Sequence, residues 1–246
     1  MKILLFGGTT EGRILGEKLT SSGHDVTVST ATKAGEKELA GIPCKIIIGR
    51  LSSAEMEERM EGFDIVVDAT HPYAAEVSRN IRNACREAGI PLKRVLREAS
   101  DVCDGEAVLV DNAEEAARWL NGHEGNVLLT TGSKELGAFS SLDPHRLYPR
   151  VLPSHEALIA CESQGIPERN ILAMHGPFTT GLNAELIRQF HIRYLVTKDG
   201  GSAGGFKEKQ EAARLTGTVL IVIRRPDDSG MTMEELLAEL EKAAGR

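Results

Sequence analysis

Three glycine-containing turns carry the residues whose types and spacing are best suited to chemistry. The first, GGTTEG at 7–12, directly follows an apolar run at 3–6. Gly7 and Gly8 allow a tight turn and a close approach of the backbone to a ligand. Apolar residues then recur at helical spacing, and the start of a helix combines free amide groups with a favourable dipole. This turn could therefore bind an anion such as a phosphate.

The same turn is an imperfect dinucleotide fingerprint. Thr9 stands where a G-x-G-x-x-G motif has its middle glycine. Two interpretations stay open: a dinucleotide-binding turn, or the first strand and helix of any doubly wound domain. The candidate cofactor ligands on this turn are Gly7, Gly8, Thr9, Thr10 and Glu11.

The end of the second predicted strand, 26–29, bears on which cofactor would bind. In the dinucleotide fold this position commonly carries an acidic residue for the adenine ribose. Here Ser29 is followed by further hydroxyl groups and by Lys33. Hydroxyls with a lysine suit a 2′-phosphate better than a carboxylate would, which favours NADPH and leaves NADH possible. Loops rich in Ser, Thr and Lys also serve solubility alone.

The fourth predicted strand, 64–67, runs into DATHPYA, which places Asp68, Thr70, His71 and Tyr73 near its carboxyl end. Open α/β sheets bind ligands at this edge, so Thr70 is a candidate cofactor contact, and His71 and Tyr73 are candidate catalytic residues. His71 could donate a proton or a hydrogen bond to a substrate, or be a turn histidine satisfied by nearby backbone. Tyr73 could instead pack or line the cleft, and bulk water stays open as a further proton donor.

Two further glycine turns follow predicted strands in the second half. TTGSKEL, at 130–136, brings hydroxyls and Lys134 to the start of a helix, either as a capped start or as a carboxylate or phosphate site. The longer TKDGGSAGGFKEK contains Lys198, Gly200 and Gly201. Its glycine density exceeds what a connection needs, so backbone approach to a ligand competes with mere flexibility as the explanation.

The composition is typical of a soluble globular protein. The chain has 246 residues, of which 41% are hydrophobic and 26% charged, and its net charge is −7. The acidic balance argues against general nucleic-acid binding, and no run approaches the ~18 apolar residues of a membrane span. With no signal-peptide pattern, a cytoplasmic location is expected. The cysteines include no C-x-x-C pair, so neither a zinc site nor a disulfide framework is predicted.

Alternating strand and helix signals in both halves must position these turns. The alternation is interrupted at 97–108 by REASDVCDGEAV, a polar, glycine-containing stretch without periodicity. This predicts an N-terminal domain at 1–99 and a C-terminal domain at 104–246. Each is expected to be a doubly wound α/β unit with a mainly parallel sheet, with a cleft between the two.

Together these motifs resemble the precorrin-6A reductase family of cobalamin biosynthesis, including its cobalt-precorrin-6A branch. The likeness covers nearly the whole chain and rests on the order and spacing of GGTTEGR, DATHPYA, LLTTGSKEL, HGPF, TKDGGSAGGFKEK and IRRP. It implies two Rossmann-like domains, the first binding the dinucleotide. It also implies hydride transfer from NADPH or NADH to C19 of precorrin-6A or cobalt-precorrin-6A, with a proton added at C18.

The resemblance also implies roles for particular residues. The turn at 7–11 would hold the cofactor, and Lys198 with the following glycines would form a second part of the cleft. The family often has a serine before glycine after this lysine, whereas here the pair is Gly200 and Gly201; Ser202 could supply the hydroxyl contact in its place. A precorrin carries several acetate and propionate groups, for which the candidate cations are Arg79, Arg97, Lys134, Arg150 and Lys198.

Two other functions compete with this one. A cofactor-free tetrapyrrole cyclase similar to uroporphyrinogen-III synthase also has two α/β domains, but it would not need the dinucleotide cradle that GGTTEG suggests. A nucleotide-sensing module would not need the DATHPYA cluster. Hydride transfer is the cofactor's own reaction, so it requires no catalytic triad or metal cluster, and neither is visible in the sequence.

Overall fold

The computed structural model describes residues 1–96, 107–201, 204–226 and 228–244, apart from the side chains at 33, 34 and 244. It divides into two compact units: Met1–Glu98 with Asp227–Arg246, and Ala99–Pro226. Each unit is a parallel sheet flanked by helices. The predicted α/β class with two mainly parallel, doubly wound sheets is therefore confirmed.

Unit 1 begins the chain and contains the first glycine turn. Its strands are β1 (Lys2–Phe6), β2 (Asp25–Thr30), β3 (Lys45–Ile48), β4 (Ile65–Asp68) and β5 (Leu92–Arg94). The helices between them are α1 (Thr10–Ser21), α2 (Lys33–Glu38), α3 (Ser53–Met60) and α4 (Ala75–Ala88). The strand order is β3-β2-β1-β4-β5, so the order reverses between β1 and β4, where open α/β sheets bind ligands.

The central strand β1 is buried on both faces because its apolar residues follow one another without a polar break. Ile3 and Leu5 pack on one side with Leu15 and Leu19 of α1. Leu4 and Phe6 point to the other side, into a cluster formed mainly by α3 and α4. This division follows from the alternation of side chains along a strand, and it fixes the exit of β1 in the middle of the sheet.

Unit 2 repeats the alternation of strands and helices. Its strands are β6 (Ala107–Val110), β7 (Asn126–Leu129), β8 (Leu147–Val151), β9 (Leu172–Ala173), β10 (Ile192–Lys198) and β11 (Val219–Ile223). Its α-helices are α5 (Ala113–Asn121), α6 (His155–Ser163), α7 (Thr180–Gln189) and α8 (Phe206–Thr216). The strand order is β6-β11-β10-β7-β8-β9, so the turns after β7 and β10 leave neighbouring strands at the same edge of the sheet.

The end of the chain corrects the predicted second domain, which extended to residue 246. Residues 227–246 belong to unit 1, where α9 (Met233–Ala244) packs on the β1 sheet. Leu236 and Leu240 lie in the same buried cluster as Ile3 and Leu5. Apolar spacing shows which face of α9 is buried but not which of two similar sheets it covers, so the sequence does not reveal this return.

Two local expectations also differ from the structure. TTGSKEL was expected to open an α-helix, but Ser133–Phe139 is a 3₁₀-helix that starts after Gly132 at a φ of +89°. Gly137 weakens a helix interior, and the segment is too short to recover that loss by cooperative hydrogen bonding. The fifth strand was predicted to run over 91–97, whereas β5 ends at Arg94 and Arg97 lies outside the described residues. Among the residues described, no helix is both long and apolar enough to cross a membrane.

Candidate functional site

The glycine turn after β1 is held by its own backbone and by the start of α1. The Gly7 amide donates to the Ser29 carbonyl at 2.9 Å, and Gly8 adopts a φ of +102°, which favours glycine. A Cβ on Gly12 would lie 2.9 Å from the Cα of Gly7, closer than real side chains approach. Gly12 therefore lets α1 sit directly against the turn, with its first amide groups at the exit of β1.

Thr9 caps α1 and links the turn after β1 to the turn after β4. Its hydroxyl oxygen accepts from the Gly12 amide at 3.1 Å and donates to the Ala69 carbonyl, also at 3.1 Å. The middle position of the fingerprint is thus occupied by a capping residue rather than by a glycine. Thr10 and Glu11 form the first turn of α1, with Thr10 exposed and Glu11 half-buried.

The end of β2 packs tightly against the glycine turn. A Cβ on Gly8 would lie 3.1 Å from the Thr30 hydroxyl oxygen, and a Cβ on Gly35 would overlap that oxygen. Ser29, a predicted cofactor contact, is buried within β2, while Lys33 is the first residue of α2. The sequence analysis missed Gly12 and Gly35, although Gly12 is the last glycine of the fingerprint and could have been found there.

Asp68, at the end of β4, is the centre of a buried ionic network. Its side chain is 2% exposed, and its Oδ1 accepts from the Thr70 amide, the Thr70 hydroxyl and the Arg94 guanidinium at 2.7–2.9 Å. Arg94 also pairs with Asp228 at 2.8 Å. The network fixes the turn that contains His71 and Tyr73. The Thr70 hydroxyl, a predicted cofactor contact, is part of this network.

His71 and Tyr73 lie together on this turn, as the sequence placed them. The Tyr73 amide donates to Nδ1 of His71 at 3.3 Å, and the two ring centres are 5.6 Å apart. Because Nδ1 accepts this hydrogen bond, the neutral ring carries its proton on Nε2. Both side chains are half-buried near the edge where β1 and β4 end. Their catalytic role stays a prediction.

In unit 2 the turns after β7 and β10 are joined by an ion pair. Lys198 Nζ lies 2.5 Å from Oε1 of Glu135. The neighbouring Lys134, a predicted substrate contact, is exposed. Oε2 of Glu135 and the Thr131 hydroxyl are buried with no hydrogen-bond partner among the described residues. Sequence spacing could not find this pair, because its members belong to different turns.

Gly200 and Gly201 form a compact turn at the end of β10. The Gly200 amide donates to the Lys198 carbonyl at 2.8 Å, and Gly201 has a φ of +67°. A Cβ on Gly200 would lie 3.3 Å from the Cα of Gly204. Both glycines are buried, so part of the glycine density serves the packing of the turn on itself.

The other predicted substrate contacts differ in exposure. Arg79 lies exposed on α4, whereas Arg150 is 8% exposed at the end of β8. Within the described parts of the chain, no group of three or more His, Cys, Asp or Glu side chains could hold a metal ion.

Comparison with known proteins gives consistent similarities over the whole length. A model of the family described as precorrin-6x reductase CbiJ/CobK matches residues 2–241. A cobalt-precorrin-6A reductase from Priestia megaterium is 36% identical over 230 residues, covering 91% of this chain and 90% of the relative. One from Salmonella typhimurium is 34% identical over 243 residues, covering 96% of this chain and 91% of the relative.

A relative named precorrin-6A reductase and a solved structure are also similar to this chain. A precorrin-6A reductase from Rhodobacter capsulatus is 29% identical over 246 residues, covering 99% of this chain and 94% of the relative. A solved structure described as CobK precorrin-6A reductase is similar with a TM-score of 0.78 and 27% identity, covering 98% of this chain and 96% of that one.

Proposed function

The chain belongs to the precorrin-6x reductase CbiJ/CobK family, and from this premise we propose how its residues serve the reaction. It is an NAD(P)H-dependent oxidoreductase of cobalamin biosynthesis that reduces a double bond of a precorrin-6A macrocycle to the saturated group of the corresponding precorrin-6B. The family match over residues 2–241 carries this conclusion. The tetrapyrrole cyclase and the nucleotide-sensing module are not favoured by these similarities.

We propose that the turn at 7–12 of unit 1 holds the cofactor's pyrophosphate. Gly8 takes a conformation that side chains disfavour, and Gly12 lets the first turn of α1 approach the exit of β1. With this geometry, free amide groups and the positive end of the helix dipole would face a phosphate bound at the turn. The reduced nicotinamide supplies the hydride when bound, so this chain's residues bind and orient the reactants, exclude water and supply the proton.

We propose NADPH rather than NADH as the physiological cofactor. The segment after β2 offers hydroxyl groups and Lys33 where an NAD-specific site would carry a carboxylate. Ser29 and Thr70 remain proposed contacts, as do Lys198, Gly200 and Gly201 at the end of β10. In support, the ammonium group of Lys198 is held at a strand exit by Glu135.

We propose His71 as the donor of the proton to the macrocycle, with Tyr73 holding its ring. The support is the position of His71 just after β4 and the hydrogen bond from the Tyr73 amide to Nδ1, which orients the neutral ring; the protonated imidazolium would be the proton donor. Replacing His71 with Gln should lower kcat ~100-fold or more while NADPH affinity stays unchanged. The exposed His155, replaced in the same way, is the control. An unchanged kcat in His71→Gln would move the proton donor elsewhere.

We propose cobalt-precorrin-6A as the substrate, because the relatives from Priestia megaterium and Salmonella typhimurium carry that name at 36% and 34% identity. Its carboxylates would contact cationic side chains. The candidates are Arg79, Arg97, Lys134, Arg150 and Lys198.

The test is a spectrophotometric assay of the purified protein. We expect NADPH oxidation only when the macrocycle is present, faster with the cobalt form than with the metal-free form, and slower with NADH. Macrocycle binding without oxidation would instead indicate a cyclase, and nicotinamide binding indifferent to the macrocycle would indicate a sensor. Equal rates with both macrocycles would remove the cobalt preference alone.

A further inference from the structure

Unit 2 buries two cations whose direct partners are all neutral. Arg150 is 8% exposed and Lys209, in α8, is 7% exposed. Nη1 of Arg150 donates to Oδ1 of Asn183 at 2.7 Å, and its guanidinium lies 3.9 Å from the centre of the Phe178 ring. Nζ of Lys209 donates to the Gly204 carbonyl at 3.1 Å. Neither cation forms an ion pair with a carboxylate of the described residues.

The two charges are close enough to influence each other. Burial, and then the positive charge of Arg150, lower the pKa of Lys209 to about 8, while Glu208 acts in the opposite direction. Burial also lowers the pKa of Arg150 to about 10. The Glu208 carboxylate does not reach ion-pair distance of Lys209, and its Oε2 is buried without a hydrogen-bond partner in the described chain. Two buried cations that no described carboxylate pairs with directly are costly, so this place favours an added anion.

We propose that Arg150 and Lys209 form a binding site for one peripheral carboxylate of the macrocycle. The inference rests on the proposed function and adds Lys209 to the substrate site. A carboxylate oxygen would accept from a second N–H of the Lys209 ammonium group, which has three donors, and would supply the negative charge that the Gly204 carbonyl lacks. The planar guanidinium of Arg150 would bind the other oxygen.

Asn183 is a positioning residue in this site. It is fully buried, and its Nδ2 donates to the carbonyls of Phe178 and Thr179 at 3.4 and 2.9 Å. Its Oδ1 is therefore turned toward Arg150 and fixes the guanidinium. The same chemistry would accept a cofactor phosphate, but the turn at 7–12 already offers a phosphate site, which favours the macrocycle as the source of the anion.

The test compares Lys209→Met with Lys207→Met, an exposed lysine on the same helix, in steady-state assays of the full chain. We expect KM for the macrocycle to rise about tenfold or more in Lys209→Met, with kcat and KM for NADPH within twofold of wild type. Lys209→Arg should recover most of the affinity, and Lys207→Met should behave as wild type. Arg150→Lys, which keeps the charge and loses the planar fork, should raise the same KM.

A second readout does not depend on catalysis. Propionate, a mimic of a macrocycle side chain, should raise the Tm of the wild type above that in chloride of equal ionic strength, and should not do so in Lys209→Met. An equal effect on both proteins would overturn the site. A rise of KM for NADPH instead would assign the anion to the cofactor and overturn the macrocycle assignment. If the wild type were inactive but propionate still raised its Tm, the proposed function would be wrong and the anion site would stand.

Discussion

At Gly12 the absence of a side chain decides whether the turn at 7–12, the proposed cofactor site, can form. Its missing Cβ is what allows α1 to approach Gly7. The contact is with backbone, which cannot move aside as a flexible side chain can. A substitution here must therefore displace the first turn of the helix and its amide groups.

Gly12→Ala should weaken NADPH binding at least tenfold, because the phosphate loses aligned amide donors. The measurement is titration of NADPH fluorescence. Gly16→Ala is the matched control: it lies one turn further along α1, is also buried, and its Cβ would make ordinary contacts of 3.5 and 3.6 Å. Equal loss of affinity in both variants would show that α1 as a whole, rather than the turn, is affected.

Lys209 should also make the stability of the protein depend on pH in an unusual direction. Its pKa is lowered from 10.5 to about 8 in the folded state, so between these values the unfolded state binds more protons. The free energy of unfolding therefore rises with pH in this window, and the charge penalty is complete below about pH 8. Arg150 and Glu208 are the charged neighbours that modulate it.

The predicted signal is the difference in unfolding free energy between wild type and Lys209→Met, measured by denaturant titration from pH 7 to pH 10.5. As the pH rises across that range, the unfolding free energy of the wild type should increase by roughly 3 kcal/mol relative to that of Lys209→Met. Lys207→Met should show a flat difference. A flat difference in Lys209→Met would mean that the ammonium group is not desolvated.

At the scale of elements, the sequence predicts best where one local signal decides the outcome. The unbroken apolar run of β1 needs burial on both faces, and the glycine turn followed by apolar residues at helical spacing indicates α1, so both were predicted from the chain. The network of Asp68, Arg94 and Asp228 could not be, because Arg94 meets Asp68 by the pairing of β4 with β5 and meets Asp228 by the return of the chain end to unit 1. Glu135 was missed for the same reason: its partner Lys198 lies on another strand.

Helix α9 offers the clearest test of that return. Leu236 is fully buried in the cluster that contains Ile3 and Leu5, so Leu236→Ala should lower the free energy of unfolding by ~2–5 kcal/mol. Leu215→Ala, at a leucine of α8 that is 53% exposed, should cost far less. Denaturant titration followed by circular dichroism measures both. A small loss in Leu236→Ala would mean that α9 contributes little to the fold of unit 1.

At the scale of the whole molecule, the two units differ in how the chain builds them. Unit 2 is one continuous segment, Ala99–Pro226, whereas unit 1 needs both ends of the chain. A fragment ending at Glu98 would leave the β1 sheet without α9, exposing the face on which Leu236 and Leu240 pack. Burial of apolar surface is the main stabilising term for units of this size, so the loss should be decisive.

We therefore expect the fragment Ala99–Pro226 to fold alone and the fragment Met1–Glu98 to remain unfolded or to aggregate. Trp119, the single tryptophan, belongs to unit 2, where its ring stacks on His123 at 3.7 Å and meets Tyr194 edge-on. Its fluorescence thus reports the folding of unit 2 in the fragment and in the full chain. A cooperative unfolding transition for Met1–Glu98 would show that the first sheet does not depend on α9, because the apolar face left uncovered would then be stable in water.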